Sequence, residues 1–146
     1  EANAAFAELK IAFTQLAATL SSYQDASGMW RQIIDEPSAP AEFSCTAMIG
    51  TAFALGIQKG WLDEKAYQPR LVKAWEAIVK HTLPAGRSQG SLLAHATGGG
   101  EVLDVCESTG RMGSKDAYLN RKLIRGFDDR GGSLALLFAV ACGKMF

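Results

Sequence analysis

Residues 42–60 read Glu-Phe-Ser-Cys-Thr-Ala-Met-Ile-Gly-Thr-Ala-Phe-Ala-Leu-Gly-Ile-Gln-Lys-Gly, and no charge occurs from Phe43 to Ile57. Small and apolar side chains fall on every side of the helical wheel. A helix here has no polar face for water, so other elements must enclose it. The stretch is too short, and too rich in Ser, Thr and Gly, to be a membrane span. It predicts an inner helix of a larger helical assembly, starting near Ala41, with Glu42 or Ser44 capping its N-terminus.

Upstream, Phe6, Leu9, Phe13, Leu16, Leu20 and Tyr23 recur at spacings of three and four, which predicts a one-sided helix over residues 2–23. Downstream, Gly60-Trp61-Leu62-Asp63 closes the apolar helix, and Asp63 is placed to cap the next, over about 64–82. That helix carries a stripe of Tyr67, Leu71, Ala74, Trp75, Ile78 and Val79, with Arg70, Lys73, Glu76 and Lys80 outward. Pro69 falls in its first two turns, and His81 reads as a helix-end residue rather than a ligand. Residues 130–144 form a second helix that is apolar on all sides, with Asp128 and Asp129 just before it, where a helix N-terminus favours acidic groups.

The connections differ in length. Residues 29–35 predict a short extended segment, and Glu36–Ala41 a loop, since it holds two prolines. Residues 84–130 read as mostly irregular, with short strands at 91–95 and 101–107 and a turn of helix at 118–121. The run Gly98–Gly100 lacks the strand–glycine–helix context of a nucleotide-binding fingerprint.

The 146 residues suit one domain, and the apolar share of 48% with 21% charged is that of an ordinary globular chain. Fifteen basic and fifteen acidic residues cancel, and no like-charge run forms a footprint for nucleic acid or an anionic membrane. Cys45, Cys106 and Cys142 are an odd number without a Cys-x-x-Cys unit, so neither a disulfide framework nor a zinc site is expected. Cys45 and Cys142 lie in apolar helical runs and read as small buried hydrophobes. No signal-peptide pattern is present, which leaves cytoplasm and periplasm both open. The chain opens at Glu1 already in helical periodicity and stops at Phe146 just past an apolar helix, the pattern expected of a piece of something longer.

The helices thus alternate: one-sided, all-apolar, one-sided, all-apolar. Outer and inner helices stacked in pairs build α-solenoids and closed α/α toroids. The link at Gly60–Asp63 is short, while the links Gln24–Ala41 and Leu83–Arg130 are long and fall together at the opposite end, beside the N-termini of both inner helices. Long loops on a rigid scaffold are where binding and catalysis concentrate, and helix N-termini favour anionic groups such as carboxylates. One functional mouth is therefore expected, lined by Trp30, Arg31, Glu42, Ser44, Tyr118, Asn120, Arg121, Asp128, Asp129 and Arg130. Four helices cannot cover two all-apolar ones, so the remainder of a larger body, or a partner chain, is expected to complete the fold.

Several blocks resemble a known family. Ser27-Gly-Met-Trp-Arg-Gln-Ile-Ile-Asp-Glu-Pro, Glu42-Phe-Ser-Cys-Thr-Ala-Met, Ala52-Phe-Ala-Leu-Gly-Ile-Gln-Lys-Gly-Trp-Leu, Tyr67 and Lys73-Ala-Trp are similar to the C-terminal part of the unsaturated glucuronyl and rhamnogalacturonyl hydrolases, glycoside hydrolase families 88 and 105. So are Val105-Cys-Glu-Ser-Thr-Gly, Tyr118-Leu-Asn-Arg and Phe127-Asp-Asp-Arg-Gly-Gly, giving a resemblance over about Tyr23–Cys142. It departs from the family at Ala85-Gly-Arg-Ser-Gln, where an Asp-Gly turn is common.

The resemblance implies an all-α (α/α)6 barrel with short β segments in its loops, of which residues 1–146 make the C-terminal third. It implies removal of a terminal 4,5-unsaturated uronic acid from lyase-generated oligosaccharides, with an Asp as general acid and base and no metal or organic cofactor. The family's catalytic Asp residues and Trp-x-Arg motif belong to segments that precede the matched part, so no catalytic residue is assigned in this chain, which alone is expected to be inactive. Candidates for substrate contact are Trp30, Arg31, Glu42, Ser44, Tyr118, Arg121, Asp128, Asp129 and Arg130. Each has a structural alternative: capping for Asp128 or Asp129, a loop salt bridge to Asp35 or Glu42 for Arg31, and a cover over the core for Trp30. The competing reading of the whole chain is a non-catalytic all-α module that binds a carbohydrate or a protein partner.

Overall fold

The computed structural model describes residues 2–83, 101–107, 110–143 and 145. The expected strand at 91–95, Gly98–Gly100 and the Ala85–Gln89 loop lie outside these residues. Four long helices carry the fold: α1 (Ala2–Ser22), α2 (Phe43–Gln58), α3 (Glu64–Lys80) and α5 (Asp129–Cys142), with a short α4 (Lys115–Leu119). The two-residue strands β1 (Trp30–Arg31) and β2 (Ala41–Glu42) pair antiparallel just before α2, so the apolar helix begins two residues later than its composition suggests. The strands β3 (Thr82–Leu83), β4 (Glu101–Cys106) and β5 (Leu123–Gly126) form an antiparallel sheet with β4 central.

α2 and α5 are the two inner helices and lie side by side. Gly50 permits this, since a Cβ there would come within 2.4 Å of the Phe138 ring. The Gln58 side-chain amide donates to Ala141 O at 2.6 Å, joining the C-terminal ends of both helices. At the other end β4 crosses both N-termini: its Cys106 N–H donates to the Glu42 carboxylate at 2.9 Å, and Val105 Cγ2 lies 2.6 Å from where a Cβ on Gly131 would stand. The inner helices therefore run parallel, with both N-termini under one strand.

α1 and α3 flank α2 in the opposite direction. Asp63 caps α3 through a 3.0 Å bond from Ala66 N, and Pro69 sits inside the first turns without ending the helix. Trp30, Phe53 and Tyr67 form a chain of edge-to-face rings, with centroids 5.6 and 5.1 Å apart, that joins the loop before α2 to α2 and α3. Trp30 and Phe53 are fully buried, each contributing about 1.5–3 kcal/mol from area alone. Phe6 and Phe13 of α1 meet Trp61 edge-on, at 5.6 and 5.8 Å.

Much of the apolar stripe of α1 nevertheless faces solvent, with Leu9 69% and Leu16 57% exposed; the same holds on α5, where Leu136 is 67% and Val140 63% exposed. Val79, assigned to the buried stripe of α3, is 52% exposed. Uncovered apolar surface thus lies both on the stripe of the one-sided α1 and on the all-apolar α5.

Candidate functional site

The end at which α2 and α5 begin is built around two carboxylates. Glu42 closes β2 and caps α2. Its Oε1 accepts from Ser44 N at 3.2 Å and Cys106 N at 2.9 Å, its Oε2 accepts from Cys45 N at 2.6 Å, and the Ser44 hydroxyl reaches both oxygens at 2.8 and 2.9 Å. The residue is 3% exposed. One buried charge thus satisfies the orphan N–H groups of a helix start and one N–H of the neighbouring sheet.

Asp128 does the same for α5. It accepts from Gly131 N at 2.7 Å and from the Arg130 guanidinium at 2.9 Å. Burial pushes its carboxyl up, but the hydrogen bonds from Arg130 and Gly131 outweigh this and hold it below the ordinary aspartate value. Arg130 also donates to Glu107 O at 2.7 Å, fastening the end of β4 to the start of α5. Asp129 is exposed and accepts only the neighbouring Arg130 N–H, at 3.0 Å, among the described contacts. Arg121 faces Glu107 at 3.6 Å, and its Nε is buried without a partner among the described residues.

The other candidates have distinct surroundings. Trp30 is fully enclosed, donates Nε1–H to Leu20 O at 2.7 Å, and has no open ring face for a sugar. Arg31 pairs with Asp25 at 3.0 Å and donates to Ala39 O at 2.6 Å, so its ionic partner is neither Asp35 nor Glu42, the latter being committed to the cap of α2. Asn120 closes α4 through Asp116 O. Tyr118 accepts from Met112 N at 3.0 Å, which fixes the hydroxyl and leaves the ring along a groove. That groove, of about 700 Å³, runs between residues 32–35 and 112–118. Lys115 and Glu36 form an ion pair at its rim, and the hydrogen bond from Lys115, with those from Ser38, holds the Glu36 carboxyl down at about 2.

Mouth and groove adjoin. Glu107 meets Arg121 and Arg130, while Tyr118 and Arg121 are three residues apart at the end of α4. Glu42, Ser44, Asp128, Arg130 and Arg121 are thereby gathered around one strand end, whereas Arg31 turns to the α1 side through Asp25. The pairing of Arg130 with Glu107 O, and of Glu42 with Cys106 N, was not readable from spacing because it spans 23 and 64 residues. Among the described residues, no three His, Cys, Asp or Glu side chains gather as a metal site, and no helix is long and apolar enough to cross a membrane.

Cys45 lies beside Glu42, its thiol 3.4 Å from Glu42 O. Burial, then the Glu42 charge, pushes that thiol far above the usual cysteine range; burial alone raises Cys142 to about 11. Neither is a ready nucleophile near neutrality.

Alternating outer and inner helices with a loop-built mouth at the inner N-termini define part of an (α/α) barrel of the glycosidase kind. The profile of Glycosyl Hydrolase Family 88 matches residues 1–146, and the chain belongs to that family. Among solved structures it is similar to a possible family 105 member from Salmonella enterica (25% identity over 89% of this chain and 30% of that one, TM-score 0.70). It is similar also to one from Klebsiella pneumoniae (24%, 94% and 32%, TM-score 0.73) and to a family 88 glycosyl hydrolase from Bacteroides vulgatus (22%, 94% and 34%, TM-score 0.60). The chain spans about a third of the length of these structures. A search of curated proteins returned no match.

Proposed function

We propose that residues 1–146 are the C-terminal portion of an unsaturated uronyl hydrolase barrel that removes a terminal 4,5-unsaturated uronic acid from lyase-generated oligosaccharides. Family membership and the resemblance of the Ser27–Pro37 and Glu42–Met48 blocks support this reading. The observation that carries it is the shared mouth: β4 joins the N-termini of α2 and α5, and Arg130 and Arg121 meet at Glu107 beside it. Guanidinium groups at such a place suit a sugar carboxylate. In the reaction an Asp supplied by the rest of the barrel protonates C4 of the enol ether, water adds at C5, the resulting hemiketal opens to a ketone at C5, and the hemiacetal this leaves at C1 collapses to an aldehyde and releases the aglycone alcohol. This differs from displacement at the anomeric carbon by two carboxylates. The residues described here bind and orient.

The experiment is loss of the ultraviolet absorbance of the C4=C5 double bond when the full protein is given an unsaturated disaccharide. Decay supports the reading; an unchanged absorbance, with saturated uronides hydrolysed instead, overturns it. The alternative of a self-contained binding module requires a closed core, and the exposed Leu9, Leu136 and Val140 weigh against it.

A further inference from the structure

Helix starts favour short polar side chains, and among the described residues α3, α4 and α5 have them: Asp63, Ser114 and Asp128. α2 starts with Glu42, a type the position does not favour. The extra length has a second use. Oε2 serves the helix at Cys45 N, while Oε1 also reaches out of it to Cys106 N of β4, at 2.9 Å. An aspartate, shorter by about 1.5 Å, would still cap α2 but fall out of hydrogen-bond range of the strand.

The strand carries that contact onward. Cys106 precedes Glu107, on which both guanidinium groups of the mouth converge: Arg130 donates to its carbonyl at 2.7 Å, and Arg121 faces its carboxylate at 3.6 Å. The Glu107 N–H donates to Lys122 O at 3.1 Å, which ties this strand end to β5; Glu42 ties it to α2. Arg130 uses two of its five N–H donors, on Glu107 O and Asp128, and its side chain is 51% exposed, so donors remain for a ligand. Glu42 is 3% exposed with both oxygens engaged, and has no surface to offer one.

We propose that Glu42 is a positioning residue for substrate. Through Cys106 it sets where Glu107 stands, and through Glu107 it aligns Arg130 and Arg121 on the uronate carboxylate. The role rests on the uronyl hydrolase reading. It depends on the reach of the glutamate, since the cap alone needs no more than an aspartate. Guanidinium groups that hold a carboxylate do so before and during the reaction, so misaligning them raises KM and spares kcat.

The test compares the full protein with Glu42→Asp, Glu42→Gln and Asp63→Ala, using an unsaturated disaccharide. Glu42→Asp raises KM about tenfold with kcat held within about twofold. Glu42→Gln keeps the length and one accepting oxygen, so its KM lies between; it carries the test where Glu42→Asp does not fold. Asp63→Ala uncaps α3 at the opposite end, lowers the melting temperature and leaves KM unchanged. In an Arg130→Met background, Glu42→Asp raises KM clearly less than in the unmodified protein, because the two residues act in series. An unchanged KM in both Glu42 variants, or an undiminished rise in the Arg130→Met background, overturns the proposal and leaves Glu42 a cap only. Titration with a saturated uronyl disaccharide reads the same order of variants without turnover. Affinities in that order beside an intact double bond sink the hydrolase reading and keep the positioning role; a consumed double bond with equal affinities and equal KM does the reverse.

Discussion

At the scale of single residues, Glu42 shows how one carboxylate can hold two elements together. It caps α2 through Ser44 and Cys45, and ties β4 to that cap through Cys106 N. Removing it leaves a buried N–H of the sheet unpaired as well as a helix start uncapped. Glu42→Ala is therefore expected to cost about 3 kcal/mol, roughly the sum of a cap and an unsatisfied donor, measured by denaturant unfolding. Asp128→Ala, which uncaps α5 and frees Arg130, is expected to cost about 1–2 kcal/mol at neutral pH. The sign of its pH dependence follows from the lowered carboxyl value. The contribution is complete above the unfolded aspartate value of about 3.9 and fades as pH falls through the lower folded value, so the gap between the two proteins should close in acid. Cys45 and Cys142, with raised thiol values, should resist iodoacetamide at pH 8 in the folded protein and react in denaturant.

At the scale of elements, the decisive contact is the approach of α2 to α5 at Gly50 and Phe138. A methyl group at residue 50 meets the ring at 2.4 Å, and the ring is fully buried, so it cannot swing into solvent. Gly50→Ala should destabilise by about 1–3 kcal/mol despite the better helix propensity of alanine, read as a lowered unfolding midpoint. Local chemistry made these helices legible: the uncharged run from Phe43, the Asp63 cap and the Asp128–Asp129 pair all act within a turn of where they lie. The short β4 was also readable in residues 101–107. The sheet was not, because β5 pairs with β4 across about twenty residues and its own residues, Leu123–Gly126, hold no alternation long enough to mark a strand. A bulge at Asp104, in the left-handed region with φ 63°, breaks the register further, and its carboxylate is held by Arg125 at 3.1 Å and His81 at 3.5 Å. The mouth was predictable as a place, since connection lengths decide which end collects the loops. The use of each side chain there was not: Trp30 became core and Arg31 joined Asp25 because those choices depend on packing and on partners set by the folded loop.

At the scale of the whole molecule, the central fact is exposed apolar surface on α1 and α5 in a chain that spans about a third of the solved structures it matches. Large apolar side chains left to solvent along a helix face, as Leu136 and Val140 are on α5, mark an interface. The proposed remainder of the barrel is its natural cover and brings the catalytic Asp to the mouth that α2, α5 and β4 form. Residues 1–146 in isolation should then bind a hydrophobic dye and self-associate, whereas a self-contained module would elute as one sharp species and leave the dye dark. The most direct measurement is the absorbance assay with an unsaturated disaccharide, run in parallel on the full protein and on residues 1–146. A C-terminal barrel portion predicts decay with the full protein and none with the isolated residues. Robust turnover by residues 1–146 alone, or an intact double bond with the full protein, would contradict it.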